Sequence, residues 1–567
     1  MPPGDSAGIA SPSHPTPGSP TSESSASPSL TRRQILLAFS GLMLGILLSS
    51  LDQTIVATAL PTIVSELGGL DKLAWVTTAY ALAMAVSTPV YGKLGDLFGR
   101  KYLFQTAIGV FLAGSVLCGL AQSMGTLIAF RAIQGLGAGG LMSNAQAIVG
   151  DLVPPAERGR YQGLIGSMIA LSTVGGPLLG GLLTEALSWR WIFYVNLPLG
   201  AIALVVTSFV LRPPAYRRER RPLDWLGGVL LSCGTAALIL FTTWGGTTYA
   251  WTSPQILLLV TAAVVLLSLF VRVETRAADP LIPLRLLSRN AVVRVACPLT
   301  LVAGCLFIGV GTFLPLYEQI VHGKGPTESG LLLAPMMLAM LVSSTVCGRV
   351  VSRIGKYKRF PVGGTLLAAL GLALLATLGA GSPYWRLLVA LVVLGFGLGT
   401  IGPVTTLAVQ NSVDHRDLGV ATALNSFSRS IGSSFGVALL GAVFTHRLAA
   451  GLSASEAQAL GGDHTTITRE RIDALAPEAH AAVLESFAGA LAWVFATAVP
   501  VALCGFLLAL ALRELPLRKG PEAAVPAEAP TPGRDSPHSA RAGATSARPR
   551  AGRRPPKTPR PEERGRG

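Results

Sequence analysis

Long apolar runs, broken by short polar loops, recur along most of the chain. Each is roughly 20 residues, the length a helix needs to cross a bilayer. The pattern predicts fourteen such spans, near 34–59, 73–94, 102–121, 126–149, 161–183, 191–211, 223–241, 255–271, 292–316, 329–350, 360–380, 385–408, 418–445 and 486–512. The fold class that follows is an all-α polytopic membrane protein. Residues 1–33 and 513–567 are rich in Ser, Pro, Ala and Arg and poor in apolar residues, so they read as disordered tails. The first apolar run follows a polar tail and is too long for a cleavable leader, so it is expected to remain as a helix.

Composition supports this class. The chain is 50% hydrophobic and 13% charged, with a mean hydropathy of +0.54. A soluble protein would carry about 25% charged residues. All six cysteines lie inside apolar runs without metal-ligand spacing, so they read as small packing residues and no metal site is expected. The net charge of +16 is distributed unevenly. With the N-terminus inside, the inner loops carry 20 Lys and Arg and the outer loops 7. This bias places both termini in the cytoplasm. The tail 513–567 adds 13 basic residues against 6 acidic ones, which suits anionic lipid heads. No aromatic residue is interleaved with its arginines, which argues against a nucleic-acid partner.

The chain also repeats itself. Gly92 and Gly99 recur as Gly348 and Gly355, QGLGAGG (134–140) as LGFGLGT (394–400), Gly176 and Gly180 as Gly432 and Gly436, and ALP (59–61) as FLP (313–315). Four matches in order, at offsets between 254 and 260, define two parallel six-helix halves, 34–211 and 290–512. Residues 212–289 are a linker carrying two additional spans, and a long outer loop, 447–485, interrupts the second half. Parallel halves imply a pseudo-twofold axis along the membrane normal and a site between them.

Five motifs then carry a resemblance. GKLGDLFGRK (92–101), LIAFRAIQGLGAGG (127–140), GGPLLGG (175–181), LDQTIVATALP (51–61) and WRWIFYVNLPLG (189–200) resemble the signatures of the major facilitator superfamily, specifically its 14-helix drug:proton antiporter branch. The resemblance covers about residues 34–512. It implies the major facilitator fold, an inner gate at 92–101, proton coupling through the fourth span and an antiporter motif in the fifth.

The residues themselves give a compatible reading. Asp52 and Arg131 are charges within apolar spans, and an ionised group there needs a partner. At 1.5 Å per residue, Asp52 lies about 12 Å and Arg131 about 10 Å from the outer surface. Their matching depth predicts a titratable pair, with a purely structural ion pair as the alternative. Their counterparts in the second half are Leu306 and Leu391, so the charged apparatus belongs to one half. In the gate loop, Gly92, Gly95 and Gly99 permit a tight turn and close approach. Asp96 can pair with Arg100 or Lys101, or cap a neighbouring helix. Its counterpart is Ser352, which suggests a one-sided gate. Gly176, Pro177, Gly180 and Gly181 predict a bent, closely packed fifth span. Gln134, Glu318 and Arg429 are further candidates for a substrate or charge site. Glu185 and Asn196 read as shaping an outer loop.

The expected function is a proton-coupled exporter of lipophilic compounds, in the plasma membrane, active as a monomer and needing no cofactor. The alternatives are a narrow-substrate exporter of a self-made antibiotic or metabolite and, against the antiporter motif, an importer. An enzyme or sensor finds no support: the chain has no HExxH, nucleophile elbow, intramembrane His pair or nucleotide-binding motif.

Overall fold

A computed structural model describes residues 32–69, 72–211, 224–246, 248–277, 279–324, 326–379, 381–452, 472 and 475–517. The N-terminal half comprises α1 (Arg32–Leu67), α2 (Leu73–Phe98), α3 (Arg100–Gly119), α4 (Met124–Leu152), α5 (Pro155–Ala186), and a sixth span split into α6 (Trp191–Tyr194) and α7 (Asn196–Val210). The insert follows, α8 (Trp225–Trp244) and α9 (Pro254–Glu274), then a short α10 (Arg285–Ser288). The C-terminal half comprises α11 (Ala291–Ile320), the short α12 (Pro326–Leu331), α13 (Ala334–Ile354), α14 (Arg359–Ala376), α15 (Tyr384–Ser412), α16 (Leu418–Gly451) and α17 (Pro477–Ala511).

Among the described residues, thirteen helices are long and apolar enough to span a membrane. The fourteenth expected span, α4, is not among them. Its 29 residues include Arg131, Gln134, Asn144, Gln146 and six glycines, and most are buried. A helix enclosed by neighbours need not present an apolar surface to lipid.

The halves pack alike. In the first, α2 and α3 pack on α4, and α1 on α5 and α7; in the second, α13 and α14 pack on α15, and α11 on α16 and α17. Glycines repeat the contacts atom for atom. A Cβ on Gly114 would strike the backbone of Gln134, and one on Gly371 that of Leu394. A Cβ on Gly135 would strike the carbonyl of Tyr80, and one on Gly395 that of Met336. The insert helices pack on each other, and α8 lies against α2 and α16. At one end of α2, Trp75 meets Trp244 edge-on with ring centroids 5.2 Å apart. At the other, Lys93 Nζ reaches Asp279 Oδ1 at 2.7 Å.

Several expected boundaries move. α1 runs to Leu67, α16 to Gly451 and α17 starts at Pro477, so helices enter the predicted loop 447–485 from both sides. Residues 453–471 of that loop lie outside the described residues, as do most of the two tails. The first residues of the C-terminal tail are not free. The Glu514 carboxylate accepts from the N–H of Tyr357 at 2.7 Å and of Lys358 at 3.2 Å, capping α14. Leu515 donates its N–H to the Tyr357 hydroxyl at 2.9 Å. Burial pushes the Tyr357 phenol up. One acid and two leucines suffice to dock a segment whose composition otherwise reads as disordered.

Candidate functional site

Arg131 and Asp52 face each other in the interior of the N-terminal half, with relative exposures of 1% and 0%. Arg131 Nη1 donates to Asp52 Oδ2 and, at 2.7 Å, to Gln134 Oε1. Its Nε reaches the carbonyl of Val76 at 3.3 Å, and the Tyr80 ring lies 4.1 Å from the guanidinium carbon. The other carboxylate oxygen of Asp52 accepts from Gln134 Nε2 at 2.8 Å and Asn196 Nδ2 at 3.0 Å. Both amides also donate to Ser115 Oγ, at 2.7 and 2.9 Å. A charge removed from water needs hydrogen bonds on its remaining lone pairs, and this carboxylate has them.

Five helices meet here: α1 brings Asp52, α2 Tyr80, α3 Ser115, α4 Arg131 and Gln134, and α7 Asn196. Asn196 is therefore not an outer-loop residue; it starts α7 and turns inward onto the carboxylate. The quoted motif around it, WRWIFYVNLPLG, was the available signal. Ser115 had none, since a lone serine in an apolar helix is usually bonded to its own backbone. Glu185 is exposed at the end of α5.

The second feature joins the halves. Gly99, at φ 96°, makes the turn between α2 and α3. Asp96 sits one turn before it and accepts from the N–H groups of Gly419 and Val420, at 3.2 and 2.9 Å, in the first turn of α16. Carboxylates are favoured there by the helix dipole. Arg100 Nη2 holds the same carboxylate at 2.6 Å and also pairs with Asp151. The second half makes its own contact at the corresponding position, against the expectation that only Asp96 would: Ser352 Oγ accepts from the N–H of Arg160 at 3.0 Å, in the second turn of α5. It is a neutral tie between the halves and not a helix cap. Glycine contacts are paired too: Gly92 meets Gly419 and Ala423, and Gly348 meets Gly159 and Gly163. A side chain at Gly348 would strike the backbone of Gly159 and one at Gly92 the Ala423 Cβ, so glycine allows this approach. Gly95 abuts Asn144.

Arg158, passed over in the sequence, ties this end further. It donates to the carbonyls of Gly150 and Val153 at the end of α4 and of Gln410 in α15. Gln410 Nε2 in turn donates to the carbonyl of Gln146 at 3.1 Å. Lys101 makes none of these contacts; it turns away to the carbonyl of Ser208 at 2.8 Å. These bonds between halves lie at the end of the molecule that carries the turn at Gly99. At mid-depth, α5 and α13 still touch through Ser167 and Thr345 at 2.7 Å. Towards the opposite end, Gln53, Ala57 and Pro61 of α1 and Thr312 of α11 are exposed.

The segment GGPLLGG (175–181) brings α1 and α5 together. Gly176 and Gly180 lie against Thr54 and Thr58, and Thr54 Oγ1 donates to the carbonyl of Ser172 at 2.9 Å. Pro177 lies within an unbroken helix. Gly181 has no neighbour within 4 Å at its Cβ position, so it takes no part in this contact. Glu318 is not a solvated helix end. It is 1% exposed and one of its oxygens meets His322 Nδ1 at 3.1 Å. Arg429 is half-buried on α16, beside Gly304. Neither Glu318 nor Arg429 approaches the Asp52 cluster, which lies in the other half. No group of three or more potential metal-ligating side chains occurs among the described residues.

Comparison with known proteins adds identity to geometry. A profile of the Major Facilitator Superfamily matches residues 42–437. An uncharacterized MFS-type transporter of Mycobacterium tuberculosis is 41% identical over 514 residues, 90% of this chain and 74% of that protein. Multidrug transporter protein MdtP of Bacillus subtilis is 38% identical over 416 residues, 72% of this chain and 75% of that one. Among solved structures, the human organic anion transporter MFSD10 superposes with a TM-score of 0.59, covering 84% of this chain and 99% of its own at 16% identity. That likeness concerns the fold.

Proposed function

The chain belongs to the major facilitator superfamily, and from that premise we propose that it is a drug:proton antiporter, exporting lipophilic compounds by alternating access. As a superfamily member it is a multi-pass membrane transporter and not an enzyme. The similarity to MdtP, named as a multidrug transporter, supports export of drug-like compounds. In this reading the gate end and both termini face the cytoplasm, the membrane is the plasma membrane, a single chain suffices, and the proton gradient replaces any cofactor.

One observation carries the proton coupling. The pair Asp52–Arg131 is fully buried, and its carboxylate joins α1, α4 and α7 through Arg131, Gln134 and Asn196. A proton on Asp52 cancels the charge that Arg131 requires and takes an acceptor from both amides. Breaking a buried pair costs roughly 3–5 kcal/mol. At about 1.4 kcal/mol per decade, that shifts a two-state balance by two to four decades. Such a change is large enough to switch which end of the molecule is closed. Gln53, next to Asp52, is exposed and lies 3.5 Å from Met84 Sδ, so the acid is one residue from accessible surface. In the cycle, compound leaves while the Asp96–Gly419 gate is shut. Proton uptake at Asp52 then loosens the N-terminal half, the gate opens, and the proton is lost inward as new compound binds.

The test is Asp52→Asn in vesicles with an imposed pH gradient, assayed with lipophilic cations and neutral antibiotics. Gradient-driven accumulation is expected to vanish while exchange of compound across the membrane without a gradient persists. Normal gradient-driven transport by the variant overturns the reading.

A further inference from the structure

A second group of buried acids lies outside this machinery, where the insert meets α2. Asp224 caps α8, its Oδ1 accepting from the N–H of Gly227 at 2.8 Å. Glu274 ends α9 at 3% exposure, and its Oε1 accepts from the N–H of Ile282 at 2.5 Å. The remaining oxygens, Asp224 Oδ2 and Glu274 Oε2, are buried and have no donor. They converge over Gly227. A Cβ there would stand 2.8 Å from Glu274 Oε2 and 2.9 Å from Asp224 Cγ. Both unpaired oxygens thus crowd the same point over Gly227.

Other charges do not resolve this. From α2 comes Lys93, held by Asp279 Oδ1 at 2.7 Å. From the segment after α9 comes Asp279, whose Oδ2 also lacks a donor. α16 contributes apolar Leu424 and Phe427 to the surrounding cluster. Among the described residues, three acids thus share one lysine, and the two that converge over Gly227 can form a hydrogen bond only if one carries a proton.

We propose that Asp224 and Glu274 bind one proton between them, and that this makes the two-helix insert a proton-sensing element acting on the gate. The link is short. Lys93 follows Gly92, whose contact with Gly419 and Ala423 is part of the gate. The Lys93–Asp279 pair pins the insert to α2 at that point. Loss of the shared proton drives Asp224 and Glu274 apart and sets a second negative charge beside Lys93, drawing it from Asp279. The protonated insert therefore favours the closed gate, and deprotonation favours opening. The site is independent of the role given to Asp52.

Infrared titration of the full chain in lipid tests the proton directly. The wild type is expected to show one protonated carboxyl signal that is lost as the pH is raised. Glu274→Gln and Asp224→Asn should each abolish that same signal, while Asp52→Asn keeps it, so that a failure at Asp52 and a failure here read out separately. Gly227→Ala, which changes no charge but wedges the carboxyls apart, should shift the titration to lower pH. A signal unchanged in both amide variants overturns the proposal. So does a signal that sodium or potassium removes at neutral pH, which would assign the site to a cation.

The gate arm uses spin labels at Arg160→Cys and His415→Cys, with exposed Cys233 and Cys504 replaced by Ala. The closed population should fall as pH rises through the same range, and Asp224→Asn should lose that dependence. The same pH dependence in the variant overturns the coupling.

Discussion

The two halves place opposite chemistry in the same frame. In the N-terminal half, Asp52, Tyr80, Ser115, Arg131 and Gln134 form a hydrogen-bonded charge cluster. The repeat offsets put Leu306, Met336, Leu372, Leu391 and Leu394 at the corresponding places, and all five are buried in one apolar core. The glycine contacts that bring the helices together are nearly identical in both. The fold therefore does not require the charges. An apolar filling serves the C-terminal half, and the polar filling is retained in the other for something packing alone does not supply. Buried ion pairs are a poor source of stability against well-packed leucines, which points to use rather than support.

The contrast can be broken by importing one half into the other. Arg131→Leu leaves Asp52 buried without its cation and should destabilise the protein by about 3–5 kcal/mol. The triple change Asp52→Leu, Arg131→Leu, Gln134→Leu should recover most of that loss while abolishing gradient-driven transport. Unfolding in detergent, followed by vesicle assay, checks both. If the triple variant stays as unstable as the single one, the polar cluster is structural.

The gate offers the second contrast, Asp96 against Ser352. Asp96→Ser copies the neutral residue of the other half and removes a charged hydrogen-bond acceptor, at about 1.5–3 kcal/mol against the closed gate. Cysteine accessibility at the gate end should rise. Gly348→Ala should follow, because the new methyl would meet the backbone of Gly159 across the interface. Overpacking of this kind costs about 1–3 kcal/mol, and here it falls only on the closed state, so the variant should favour gate opening without losing folding. Ser352→Ala should give the smallest effect, about 0.5–1.5 kcal/mol. If Ser352→Ala opened the gate as much as Asp96→Ser, the charge asymmetry between the two contacts would carry no weight.

Much of this was legible in the chain. Asp52 and Arg131 could be paired from depth because both helices are straight rulers with a fixed rise. Gly99 could be placed because a turn between two spans favours glycine, and Gly92 and Gly95 because close approach of a neighbouring element does. Gln134 was visible as a polar residue in an apolar run. The contact of Ser352 was not, because serine for aspartate reads as the loss of an acid, whereas the structure keeps an acceptor there, for the N–H of Arg160. Asn196 was misplaced because it stands at a helix start, where asparagine usually caps. Arg158 was counted as one more basic loop residue, and only its burial against the ends of α4 and α15 shows otherwise.

The sequence by itself determined the number of spans, the repeat and the placement of charges in one half. These are local properties: hydropathy and rise per residue need no knowledge of neighbours. Tertiary structure decided which side chains share a carboxylate. The donors to Asp52 come from 79, 82 and 144 residues away, and Asp224 and Glu274 meet only because α8 and α9 pack against each other. Hydrogen bonds are directional and short, so a partner is fixed only when helices far apart in the chain have taken their final places.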